Sequence, residues 1–176
     1  MELPKALGHL RDERIRGFAA YWLRLRAGSG VPCRRALDPL EFPWALPFVW
    51  MCDYLPGQDD FRYRLTGEAI NQAHSSSLSR RLLSDVIRTD RYSETLQRYL
   101  RVIREPAIAH TIGPVYVDGR VSRQVLGERI AFPLSQDGSA IDMMLGMTVF
   151  DLDTGGAGGD LAVPQNESVF TPLTEL

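Results

Sequence analysis

The sequence predicts an α+β fold built on a five-stranded antiparallel sheet with the strand order 2-1-5-4-3. Two Asp-Gly pairs, Asp118-Gly119 and Asp137-Gly138, separate three strand-like stretches. Asp-Gly favours a two-residue turn, because both central positions need a positive φ. Two earlier strand-like stretches are followed by helical patterns over residues 68–104. Strands at both ends with helices between them are typical of an α+β architecture.

The order of the strands follows from two prolines. Counting outward from each turn places Pro133 opposite Asp142 and Pro114 opposite Arg123. Proline cannot donate a hydrogen bond, so the strand that carries Pro114 is predicted to lie at an edge. The last strand then needs another neighbour on its free side. The first strand of the early hairpin fills that place, which gives the order 2-1-5-4-3.

The same count predicts one apolar face on the last two strands. In the predicted pairing Phe132 faces Met143, Ile130 faces Leu145, and Glu128 faces Met147. Glu128 is therefore the one charge on this face. Met144 points to the opposite face, which we expect the amino-terminal helix to cover.

The amino-terminal helix is predicted from His9 to about Ala27. Apolar residues recur along it at helical spacing, with arginines mostly off the stripe. Phe18 and Trp22 form the centre of this stripe. They must cover either the second face of the sheet or the same helix of a second copy, and the pattern leaves both open.

The middle of the chain changes from strand to helix patterns. Strands are predicted from Phe48 to Cys52 and from Phe61 to Thr66, with Tyr63 and Leu65 on one face. Three helical segments follow, over residues 68–73, 78–87 and 90–104.

Three regions are expected along the chain. Residues 1–30 form an amino-terminal helical cap, residues 31–150 the main domain, and residues 151–176 a flexible tail. The tail is Gly-rich and has five acidic residues and no lysine or arginine, a composition that favours disorder.

Composition excludes several classes of protein. The chain has 176 residues, is 44% hydrophobic, and has a net charge of −2, which argues against a general nucleic-acid binder. No apolar run is long enough to span a bilayer, and the amino terminus lacks the pattern of a secretory signal. Cys33 and Cys52 lack metal-site spacing, and reduced thiols are the better interpretation. We therefore expect a cytoplasmic protein.

Several short motifs resemble one known family. They are Tyr21-Trp22-Leu23 with Arg26, Pro32-Cys33-Arg34, Asp38-Pro39, residues 61–67 (FRYRLTG) and residues 129–138 (RIAFPLSQDG). In order and spacing they resemble small stand-alone bacterial PAS-like proteins. The resemblance implies a PAS-like sheet in a sensory or ligand-binding module that is typically dimeric and has no enzymatic activity. The family usually carries glycines where this chain has residues 74–79 (HSSSLS), which changes the expected shape of a ligand cavity.

A ligand cavity is predicted between the sheet and the helices. Its candidate residues are Tyr63, Leu65, Glu128, Phe132, Met143 and Met147. Glu128 has two interpretations, a polar anchor inside the pocket or a residue turned to solvent by a bulge beside Gly127. The second is favoured, because an unpaired buried carboxylate is costly.

Three functions remain open. The first is a non-catalytic regulatory module that binds a small ligand or a partner protein. The second is a structural module that forms a homodimer through Phe18 and Trp22, without a ligand. The third is a small-cavity isomerase or hydrolase with Glu128 as its base. No haem or flavin motif is identified, because His74, the one candidate for haem, lies in a Ser-rich turn and both cysteines precede the helices in which a flavin photosensor carries its reactive cysteine. The cofactor is unknown.

Overall fold

A computed structural model describes residues 2–26, 30–87, 89–117, 123–150 and 167–176. In chain order the helices are α1 (Glu13–Leu25), α2 (Glu68–Ala73), α3 (Leu83–Val86) and α4 (Thr89–Arg104). The strands are β1 (Val49–Leu55), β2 (Asp60–Thr66), β3 (Ala107–Val117), β4 (Arg123–Leu134), β5 (Met143–Phe150) and β6 (Glu167–Pro172). Short 3-10 turns precede α1, link it to β1 and follow β6.

The strands form one antiparallel sheet in the order β2-β1-β5-β4-β3-β6. The predicted α+β class and the order 2-1-5-4-3 are confirmed. The strand count differs, because β6 adds a sixth strand beside β3. The expected tail is thus wrong over residues 167–176, which form β6 and a 3-10 turn, while residues 151–166 lie outside the described residues.

The connection between β4 and β5 is longer than the predicted two-residue turn. It spans residues 135–142, and it is held by side chains that accept backbone N–H groups. Ser135 Oγ accepts from Gly138, and Asp142 Oδ1 accepts from Gln136, both at 2.8 Å. The observed pairs are shifted by two residues, so Phe132 faces Leu145 and not Met143. A shift of two keeps every side chain on its predicted face.

Both prolines lie at positions where the absence of a backbone N–H donor costs little free energy. Pairing of β4 with β3 ends at Ala131, so Pro133 is paired only with β5, as predicted. Pro114 faces Leu126 rather than Arg123. The prediction that its strand is an edge is wrong for the first half of β3, because β6 pairs with residues 107–112. Pro114 itself lies beyond the last of those pairs.

Both faces of the sheet are covered. Helix α1 and the residues before it pack on one face, here called the α1 face, against Ile130, Phe132 and Met147. Helices α2, α3 and α4 pack on the other, the α4 face, against Trp50, Phe61 and Tyr63. Met144 belongs to the α4 face and not to the side under the amino-terminal helix, so that expectation is wrong.

Helix α1 begins later than predicted, at Glu13, because Asp12 is its N-cap. The Asp12 side chain accepts a hydrogen bond from the backbone N–H of Arg14, and such a cap satisfies a donor that the first turn leaves unpaired. Residues 9–12 are then free of the helix and cross the end of the α1 face, where they meet Glu128.

Candidate functional site

Glu128 connects the amino-terminal segment to the sheet. Its Oε1 accepts the backbone N–H of Arg11 at 2.9 Å, and its Oε2 accepts that of Asp12 at 2.8 Å. The Nε2 of His110, on the neighbouring strand, lies 2.8 Å from Oε1. These hydrogen bonds offset the free-energy cost of removing the carboxylate from water. We call Glu128, His110 and the backbone of residues 11–12 the carboxylate joint.

The solvent-exposed interpretation of Glu128 is wrong, since the residue is only 9% exposed. The regular pairing of β4 continues through Gly127, which faces both Gly113 and Phe150. A Cβ at Gly127 would lie 2.6 Å from Val115 Cγ2 and 2.8 Å from the carbonyl oxygen of Val149. Glycine therefore allows close strand packing here rather than a bulge.

The imidazole of His110 is almost fully buried in the carboxylate joint. Burial lowers the pKa of His110, while the hydrogen bond to Glu128 acts in the opposite direction. The His9 ring packs on it with the centroids 4.9 Å apart, and His9 Nε2 has no hydrogen-bond partner among the described residues. A neutral His110 that donates from Nε2 to Glu128 fits this environment.

The predicted cavity residues do not come together. Phe132, Met143 and Met147 lie on the α1 face with Glu128, whereas Tyr63 lies on the α4 face. Leu65 is 40% exposed. A bulge in the β1–β2 pairing, where Met51 faces Leu65 but Cys52 faces Tyr63, breaks the expected alternation. The grouping of Tyr63 and Leu65 on one face is therefore wrong.

Phe18 and Trp22 are fully buried within the chain. The Trp22 ring stacks on Phe132 at 5.0 Å between centroids, and its Nε1 donates to the carbonyl oxygen of Pro133 at 3.2 Å. Phe18 meets the edge of the same Phe132 ring. The structure thus selects the sheet as the surface that α1 covers, and it leaves neither side chain exposed for a second copy.

Around Tyr63, the α4 face carries further polar groups that the sequence did not single out. The Tyr63 and Tyr99 hydroxyls interact with each other, and burial raises the pKa of both phenols. The Trp50 ring stacks on Tyr99, and its Nε1 donates to Thr148 Oγ1 at 3.0 Å. Gly146 makes room for Trp50, because a Cβ there would lie 2.1 Å from the indole. The sequence signal that could have revealed this cluster is the helical spacing of the aromatic residues in α4.

An open groove lies where β3 begins and β6 ends. It has a volume of about 790 Å³. Its lining comes from the end of α1, the end of α4, the β4–β5 connection and the carboxyl-terminal residues: Arg26, Val31, Arg101, Glu105, Pro106, Ala107, Ile141, Phe170, Pro172, Leu173, Thr174 and Leu176. Sequence reasoning missed this groove, because five of its twelve lining residues come from the segment expected to be a flexible tail.

Two guanidinium groups are fixed at the walls of the groove. Arg101 Nε donates to Glu105 Oε2 at 3.0 Å, and its guanidinium lies 4.1 Å from the centre of the Phe170 ring. Arg26 Nη2 donates to the carbonyl oxygen of Leu173 at 2.8 Å. The groove therefore combines apolar surface with two cations.

In the described parts of the chain, no group of three or more His, Cys, Asp or Glu side chains is arranged to hold a metal ion. The same parts contain no helix with the length and apolar character needed to cross a bilayer. His74 lies at the carboxyl end of α2, at a turn, as its Ser-rich surroundings predicted.

Comparison with known proteins gives one match. A family model described as a PAS domain matches residues 11–149, well over half of the chain. No curated protein and no solved structure matches. The matched range contains β1 to β4, all of β5 except Phe150, α1 to α4 and the carboxylate joint, and it ends before β6. PAS domains are sensory or regulatory modules and are generally non-catalytic. This chain belongs to the PAS domain family.

Proposed function

We propose that this PAS domain is a non-catalytic regulatory module that binds a small molecule in the groove beside β6. The groove itself is the observation that carries the proposal. Its volume of about 790 Å³ lies within the range of small-molecule sites, which are mostly apolar with a few placed polar groups.

The two arginines indicate the chemical class of the ligand. A guanidinium group has five N–H donors, and Arg101 uses only Nε in the hydrogen bonds among the described residues. The donors that remain favour a ligand with an anionic group, held against the apolar surface of Phe170 and Leu173. Glu105 opposes this preference in part, because its carboxylate lies on the same wall.

The packing of the α1 face argues against an interior cavity there. Phe132 and Met147 have no exposed surface, and Met143 has 1%. A side chain with no accessible surface adjoins no space large enough for water. The candidate cavity residues of this face thus support a filled core, which leaves the groove as the better site.

The catalytic alternative lacks an available base. The Glu128 carboxylate accepts hydrogen bonds from two backbone N–H groups and lies against His110. A general base must reach its substrate within hydrogen-bond distance. Glu128 is therefore better explained as a structural group, and we do not assign it a catalytic role.

Both cysteines are unpaired, with Cys52 buried and Cys33 partly exposed. Free thiols are usual in reducing compartments. We include a cytoplasmic location in the proposal on this ground.

Binding of an apolar dye with one anionic group, 8-anilinonaphthalene-1-sulfonate, tests the proposal. Titration followed by fluorescence should give one saturable site. Arg101→Ala should weaken the affinity about tenfold, which corresponds to the loss of one charge-assisted hydrogen bond. Arg91→Ala is the matched control, because Arg91 lies on the same helix but does not line the groove. Equal affinities for both variants and the native chain would contradict the groove as the site.

A further inference from the structure

One positive charge in the groove has no carboxylate partner. Three of the side chains that line the groove are charged, Arg26, Arg101 and Glu105. Arg101 and Glu105 form an ion pair at 3.0 Å, so their charges offset each other. Arg26 forms no ion pair with a carboxylate of the described residues. The lining therefore carries a net charge of +1, and this charge belongs to Arg26.

The Arg26 guanidinium is held in place by two backbone carbonyl groups. Its Nε donates to the carbonyl oxygen of Gly30 at 3.3 Å, and its Nη2 donates to that of Leu173 at 2.8 Å. Both acceptors are neutral, so they orient the guanidinium without cancelling its charge. Of the five N–H donors of this group, three remain for a ligand. Because the planar group is already fixed, an anion that binds it costs little additional side-chain entropy.

Most of the remaining lining is apolar. Eight of the twelve lining residues have apolar side chains, and Thr174 is the one uncharged polar residue among them. A second negative charge on a ligand would lie against this apolar surface or near Glu105, and both placements cost free energy. The groove thus suits a molecule with an apolar body and a single negative charge. A carboxylate has this charge at neutral pH, whereas a phosphate monoester carries about −1.5 to −2.

We propose that Arg26 is the anion-binding residue of the groove and that the ligand is a monocarboxylate with an apolar hydrocarbon body. This inference rests on the proposed function, since it names the class of molecule that the same groove takes. Arg101 has the smaller part in selecting the charge, because Glu105 already offsets its guanidinium.

Three probes of equal chain length test the preference for one negative charge. They are octanoate, its neutral amide octanamide, and the dicarboxylate octanedioate. Isothermal titration calorimetry at about pH 7.5, where the carboxylates are ionised, measures the three affinities. The native chain should bind octanoate about tenfold more tightly than octanamide, which corresponds to one charge-assisted hydrogen bond. Octanedioate should bind more weakly than octanoate. Equal affinities for octanoate and octanamide, or tighter binding of octanedioate, would overturn the inference.

Arg26→Met tests the residue itself, because it removes the charge and keeps a long side chain. The preference for octanoate over octanamide should disappear, while the affinity for octanamide stays unchanged. Loss of a merely structural contact would weaken both probes alike. Arg24→Met is the matched control, since Arg24 lies on α1, pairs with Glu41 and does not line the groove. It should keep the native preference, and an Arg26→Met protein that also keeps it would overturn the inference.

Arg26→Lys decides the case in which Arg26→Met weakens both probes. Lysine keeps the positive charge, so this variant should still prefer octanoate. Equal affinities for octanoate and octanamide would then leave Arg26 a structural role alone and overturn the inference. Titration with 8-anilinonaphthalene-1-sulfonate separates this failure from a failure of the proposed function. One saturable dye site that depends on Arg101, with no preference for octanoate, overturns the assignment of Arg26 and of the monocarboxylate only. Absence of binding by both the dye and octanoate overturns the proposed function as well.

Discussion

The two faces of the sheet bury their polar groups by different means. On the α1 face a carboxylate, Glu128, is held by backbone N–H groups of residues 11–12 and by His110. On the α4 face neutral groups pair with one another, Tyr63 with Tyr99 and Trp50 with Thr148. A buried charge requires several donors at once, whereas a neutral pair requires one partner each. The α1 face should therefore depend more strongly on its polar contacts.

Replacement of Glu128 by alanine should produce the largest effect. It removes the acceptor of two backbone N–H groups and of His110, and each buried donor left unpaired costs about 1 to 3 kcal/mol. We expect the free energy of unfolding to fall by about 3 to 5 kcal/mol. Urea denaturation followed by circular dichroism measures this change.

Leu126→Ala is the control for that experiment. Leu126 precedes Glu128 by two residues on the same strand and face, and it is 59% exposed. Its replacement should change the free energy of unfolding by no more than about 0.5 kcal/mol. Similar losses in the two variants would show that the carboxylate joint contributes nothing beyond strand packing.

Tyr99→Phe tests the neutral pair on the α4 face. The variant removes the hydroxyl that interacts with Tyr63 and leaves that buried phenol without this partner. We expect a smaller loss, about 1 to 2 kcal/mol of the free energy of unfolding. Because removing both partners leaves no unpaired group, the double variant Tyr63→Phe/Tyr99→Phe should lose less than the sum of the two single variants. Additive losses would mean that the two phenols do not interact.

The sheet order could be predicted from the sequence because its signals are local. Proline lacks a donor wherever it stands, and Pro133 and Pro114 restrict the neighbours of their strands. The pairing of β4 with β5 was missed by two residues, since the hydrogen bonds of Ser135 and Asp142 stabilise a longer connection. An even shift leaves the faces unchanged, so the apolar face of Phe132 and Met147 was predicted correctly.

The candidate site was less predictable, because it depends on structural features that leave no pattern in the neighbouring sequence. The bulge that separates Leu65 from Tyr63 leaves no mark in an alternating strand pattern. The two faces look equally apolar, so α1 was assigned to the wrong one, as Met144 shows. Two of the three donors to Glu128 are backbone groups more than 100 residues away. The side chains of β6 are mostly exposed, so its sequence lacks the alternating apolar pattern from which a strand is predicted.

Acidification should give the smallest of the three effects, and it acts on the α1 face alone. Burial holds the pKa of His110 below its usual value, with Glu128 acting to raise it and His9 and Arg11 acting to lower it. The unfolded chain, with a histidine pKa of about 6.5, thus binds a proton more readily than the folded one. Stability should be complete above about pH 6.5 and should decrease as the pH falls from there through the folded pKa.

Urea midpoints at about pH 7.5 and about pH 5.5 measure this dependence above the range in which carboxyl groups titrate. Asp12, the N-cap of α1, has a pKa lowered by Arg14 from 3.8, so its contribution is lost only at more acidic pH. His110→Gln should flatten the dependence, since glutamine keeps a donor for Glu128 but does not titrate. A midpoint that rises on acidification would contradict the expectation. It would mean that attraction between a protonated His110 and Glu128 outweighs the burial of the imidazole, so that the α1 face gains stability from a full ion pair.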